Sequence, residues 1–64
     1  MKFNIGDIVY SPPADKHGLI TGYISKNLLE EDSDELVYKL LCLEDGEYYV
    51  DRHGNADKHG VKVG

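Results

Sequence analysis

The sequence predicts an all-β domain, a small barrel of five short strands. Apolar stretches of strand length, rich in β-branched and aromatic residues, recur between clusters of Gly, Pro, Asp and Asn. No stretch carries the apolar period of a long helix. In a 64-residue chain with a single cysteine, no internal disulfide is available, and closing the sheet protects the edges that so small a structure would otherwise expose.

The first strand spans Ile5 to Ser11 and stops at Pro12-Pro13, which cannot donate to a sheet ladder. A turn rich in Pro, Asp and Gly leads to the second, Leu19 to Ser25, where Gly22 marks a bulge or a close approach. Leu28 and Leu29 permit a short helical turn in the next stretch, but Asp32, Ser33 and Asp34 bond nearby amides and favour an acidic loop. The third strand, Leu36 to Leu43, is nearly continuous apolar sequence. Asp45-Gly46 then signals a hairpin into Glu47 to Asp51. Residues 52–59 read as turn, and Gly60 to Val63 as the fifth strand.

GDIVYSP followed by HGLITGYI, then VYKLLCLEDGEYYVD and a terminal VKV, resembles the SH3-like barrels of the KOW and Tudor type, particularly small barrel proteins of bacteria and their phages. The resemblance covers most of the chain and rests on Gly6-Asp7, Val9, Gly18, Ile20 and Asp45-Gly46. It implies an SH3-like barrel with the acidic loop between the second and third strands and a turn or 3-10 segment before the last. It also implies a binding role, with no activity and no fixed ligand.

Charge narrows the partners. The net charge is −5, and residues 27–51 hold nine of the acids against Lys39 alone. A nucleic-acid binder concentrates Lys and Arg where the phosphates lie, so the acidity argues against direct nucleic-acid binding and for a partner with a basic surface. Cys42 alone builds no multi-cysteine zinc site and reads as a small buried hydrophobe. With no signal-peptide pattern and no run near the ~18 apolar residues of a membrane span, the sequence predicts a cytoplasmic protein.

ADKHG occurs twice, at Ala14 to Gly18 and Ala56 to Gly60. One reading is structural: each copy lies at a turn feeding a strand, Asp15 and Asp57 make Asx-type bonds, and Gly18 and Gly60 free the backbone where it redirects. The other is functional: the copies face one another and gather Asp15, His17, Asp57 and His59, with His53, into a polar site suited to a transition metal. Neither pair matches a known ligand spacing, so no metal or cofactor is expected. Residues 30–41 also lack the sixth-position Gly and twelfth-position Glu of a helix-loop-helix calcium site.

Five tyrosines and no tryptophan make tyrosine the characteristic aromatic residue. Along Leu36 to Leu43 one face holds Leu36, Tyr38, Leu40 and Cys42, and the other Val37, Lys39, Leu41 and Leu43. Both are largely apolar, so either the acidic loop covers the outer face through Leu28 and Leu29, or that face meets a partner or a second copy of the chain. Tyr10, Tyr23 and Tyr49 are candidates for an aromatic cage at the barrel mouth.

No nucleophile and base stand at a catalytic spacing, and so small a domain has little interior in which to shift a pKa. The sequence therefore predicts a non-enzymatic protein-binding module. Its expected partner-binding residues are Tyr23, Tyr38 and Tyr49, with Glu30, Glu31, Asp32, Asp34 and Glu35 of the acidic loop. The alternatives are a phage-type acidic inhibitor whose carboxylates stand in for phosphates in a host nucleic-acid enzyme, and, as the KOW resemblance implies but against the net charge, an RNA- or ribosome-associated barrel using Lys16, Lys58 and Lys62.

Overall fold

A computed structural model describes residues 2–64. Its five strands are β1 (Ile8–Ser11), β2 (Lys16–Ser25), β3 (Leu36–Cys42), β4 (Tyr48–Val50) and β5 (Val61–Lys62). They form one antiparallel sheet in the order β4-β3-β2-β1-β5. The domain is all-β and barrel-like. β2 joins the two halves, since its first residues pair with β1 and nearly its whole length pairs with β3. Between Ile20 and Gly22 the register slips by one, leaving Thr21 as the extra residue of a bulge beside the glycine where the sequence placed one. The Thr21 hydroxyl donates to the Lys39 carbonyl at 3.1 Å, which fixes the bulge against β3.

Inside the curl, Phe3, Val9, Ile20, Tyr38, Leu40 and Ala56 form one buried cluster. Burying each large apolar side chain contributes about 1.5–3 kcal/mol. Because the cluster is small, the hydrogen bonds at its margin weigh heavily.

Element boundaries differ from the sequence reading where turns intervene. The first strand starts at Ile8, not Ile5, because Gly6 has φ +97° and its N–H donates to the Ile20 carbonyl at 2.8 Å. Lys26–Leu29 form a 3-10 turn where loop was expected, capped by Ser25, whose Oγ accepts from the Asn27 N–H. Only the acidic residues beyond it form the loop.

The larger correction lies before β5. Residues 55–59, read as turn, form a short helix, α1 (Asn55–His59). The Asp51 carboxylate, 8% exposed, accepts from the N–H groups of Asn55 and Ala56, both at 2.9 Å, and thereby starts the helix. Ala56 then reaches the core.

The repeated pentapeptide consequently adopts two conformations. In the first copy, Asp15 ends a turn at φ 52° and Lys16 to Gly18 are strand. In the second, Ala56 to His59 are helical. Pro12 and Pro13 precede the first copy and β1 offers it a ladder, whereas Asp51 supplies helix-starting acceptors to the second. The two glycines share a different property from the one expected. Neither has a positive φ, yet a Cβ on Gly18 would lie 2.5 Å from the Tyr49 hydroxyl, and one on Gly60 would lie 2.5 Å from the Ala56 carbonyl and 2.6 Å from Val9 Cγ1. Both permit close approach.

Candidate functional site

The hydroxyls sort the tyrosines. Tyr38 is 1% exposed, so its expected place at a partner surface is corrected: it belongs to the core. It donates to Asp57 Oδ1 at 2.7 Å and accepts from the Phe3 N–H at 3.0 Å. Burial, then the bond to Asp57, pushes it up to about 12. Tyr23 is exposed along one side, while its hydroxyl donates to the Phe3 carbonyl at 3.1 Å. Tyr10 packs against His17 at 4.9 Å and donates to Asp15 Oδ1 at 2.6 Å, a bond that raises its pKa. The aromatic cage is therefore not assembled. Among the described residues no two of these rings pack together: Tyr10 packs on His17, Tyr23 on Tyr38, and the Tyr49 hydroxyl lies against Gly18.

The acidic loop is held in place more than its composition suggests. The Lys26 ammonium meets Glu35 at 2.7 Å and the Arg52 guanidinium meets Glu31 at 3.2 Å, while Glu30, Asp32 and Asp34 stay exposed. The loop does not seal the outer face of the sheet, because Leu28 is 75% exposed. On that face Ile8, Leu19, Leu41 and Tyr48 stand in one cross-strand row, with Tyr48 largely exposed.

The two ADKHG copies do not converge. His17 Nδ1 lies 2.6 Å from Glu44 Oε2, and the His17 N–H donates to Glu44 Oε1 at 2.8 Å; these bonds hold the Glu44 carboxyl below its usual range. Asp57 instead accepts from Tyr38 and from the Lys2 N–H at 3.1 Å, while His53 and His59 lie exposed. Among the described residues no group of three or more His, Cys, Asp or Glu side chains is placed to hold a metal ion.

The contacts from His17 to Glu44, and from Lys16 to Asp45 at 3.4 Å, link the turn end of the first hairpin to the β3–β4 turn. Beside this link opens a cleft of about 330 Å3. Its floor is the core itself, Leu40, Cys42 and Ala56. Pro13 and Ala14 of the β1–β2 turn line it together with Tyr49 of β4. Tyr49 pairs with Leu40 in register, and Gly18 leaves the space its hydroxyl occupies. Asp45, Glu47 and Asp51 bring carboxylates to the lining, and Lys16 brings the one positive charge. The Glu47 N–H, foremost, holds the Asp45 carboxyl below its usual range, with Cys42 adding to the effect.

Of the expected surface residues, then, Tyr49 lines this cleft, while Tyr23 and the acidic loop lie outside its lining. Gly18, Asp45, Glu47 and Asp51 were missed. The Asp45-Gly46 hairpin signal placed the β3–β4 turn, but nothing local said that it faces the proline turn. A second hollow, also about 330 Å3, lies over Val37 between Lys26, His53 and Lys58, and is more polar. Among the described residues no helix is long and apolar enough to cross a membrane.

No protein-family model, curated protein or solved structure matches the chain.

Proposed function

We propose that the chain is a non-enzymatic protein-binding module that receives a partner segment in the cleft between its two hairpins, with Tyr49 as the principal contact. The observation that carries this reading is an open cleft of about 330 Å3 floored by core side chains. That volume lies within the range of ligand pockets, roughly 300–1,000 Å3, and interiors otherwise pack to near-crystalline density. Tyr49 offers a broad, stiff contact of the kind that concentrates binding energy. No imidazole lines the cleft beside Cys42, which favours binding over catalysis.

The position of β1 between β2 and β5, with a helical segment before β5, supports the SH3-like assignment. An acidic inhibitor presenting residues 30–35 is less well supported, since Glu31 and Glu35 already pair with Arg52 and Lys26.

Panning a random peptide library on the immobilised protein tests the proposal. Enriched peptides should bind the wild type and lose about 30-fold or more, ~2 kcal/mol, on Tyr49→Ala. Failure to enrich any peptide, or enrichment indifferent to Tyr49→Ala, refutes it.

A further inference from the structure

We infer that the cleft is selective for a cationic side chain, an arginine presented by the partner, an inference that rests on the cleft being the binding site. Three carboxylates, Asp45, Glu47 and Asp51, reach its lining against one ammonium, and that ammonium, of Lys16, is already committed to Asp45 at 3.4 Å. Both Asp51 oxygens accept backbone N–H groups, which satisfy hydrogen bonds without supplying a countercharge. Glu47 enters no ion pair among the described residues. An empty cleft thus carries uncompensated negative charge over an apolar floor.

Tyr49 lies close to these acids. Burial is the first cause that keeps the proton on its hydroxyl, and the carboxylates of Asp51, Glu44 and Asp45 push in the same direction. Carboxylates so placed attract a cation and repel a phosphate or a carboxylate.

Arginine fits better than a compact cation for two further reasons. Its methylene stem covers apolar surface such as Pro13, Ala14 and Tyr49 while the charged head stays at the rim. Its flat guanidinium stacks on an aromatic ring and presents several donors to carboxylates at once. The rim acids lie together on the β3–β4 turn, where the Glu47 N–H donates to Asp45 Oδ1 at 2.8 Å and fixes their spacing.

The experiment is an NMR titration of the 15N-labelled protein with blocked pentapeptides identical except at the centre, which holds arginine, citrulline or glutamate. The arginine peptide should move the amides of Asp45, Glu47 and Tyr49, and the neutral isostere citrulline should bind about tenfold or more weakly, as expected for loss of a charge-assisted contact. The glutamate peptide should not bind. Raising salt from about 0.05 to about 0.5 M should weaken the arginine peptide several-fold. Glu47→Lys should abolish its binding with the remaining amide spectrum unchanged, and Glu47→Gln should weaken it in the same direction should the reversal perturb folding. Citrulline binding as well as arginine overturns the cationic selectivity and leaves the cleft as a binding site. If no peptide moves the cleft amides, both readings fall; arginine shifts confined to residues 30–35 also overturn the inference.

Discussion

Removing one oxygen from the core, by Tyr38→Phe, should cost about 3 kcal/mol. The hydroxyl donates to a carboxylate, a bond worth about 1.5–3 kcal/mol, and its loss orphans the buried Phe3 N–H, a further penalty of about 1–3 kcal/mol. Asp57 retains the Lys2 N–H, which puts the sum at the lower end of that range. For a domain of this size the loss corresponds to a fall in Tm of roughly 12–24 °C. Alkaline titration independently reports the burial of the same hydroxyl and, second to that, its bond to Asp57. Tyr38 in the folded protein is raised to about 12 from 10.0, so the native state holds the proton more tightly than the unfolded state. Its contribution is complete below pH 10 and disappears as pH rises through 12, an order-of-magnitude loss of 2–3 kcal/mol, roughly. Urea unfolding followed by far-UV circular dichroism at pH 7 and across the alkaline range measures both. A pH 7 loss below about 1 kcal/mol, or a variant with the same alkaline decline as the wild type, refutes the placement of this hydroxyl.

Gly60→Ala should destabilise by about 1–3 kcal/mol, because its Cβ would meet a backbone carbonyl and Val9 that cannot both move away; a urea midpoint unchanged from wild type refutes this. Asp51→Ala should cost about 1–2 kcal/mol by removing the acceptors of Asn55 and Ala56, and hydrogen exchange should show the amides of residues 55–59 losing protection before those of β2 and β3. Uniform loss across the chain, or none, refutes the local cap.

The strands were legible because two-residue periodicity and turn chemistry are local properties. Asp45-Gly46 and the bulge beside Gly22 needed no knowledge of the remainder. Alternation separated the two faces of residues 36–43 but did not say which one faces inward, since both are apolar; Tyr38 was thereby placed at the surface, although Phe3, Val9 and Ile20 enclose it. α1 was illegible for a related reason. ADKHG is helical only where Asp51 stands ahead of it, whereas the other copy is drawn into β2 by β1. The cleft depends on three segments distant in sequence, the proline turn, the Asp45-Gly46 turn and the start of α1. Tyr49 was identifiable as an aromatic residue on a strand, but the relation to Gly18 that seats it is a contact across the fold.

The extra residue at Thr21 divides the chain into regions of unequal tolerance to a change in length. Side chains along a strand alternate between faces, so removing or adding one residue between Thr21 and Tyr23 would carry Tyr23 away from the Phe3 carbonyl and undo its grip on the segment before β1. The stretch between the 3-10 turn and β3 obeys a softer rule, as doubling the length of a loop costs only about 0.6 kcal/mol and the ion pairs that hold this one, at Glu31 and Glu35, lie on either side of Asp32 to Asp34. Natural variants of this chain should therefore gain and lose residues around Asp32 to Asp34 while β2 keeps a constant count, and a foreign peptide inserted there should leave the cleft at the opposite turns intact.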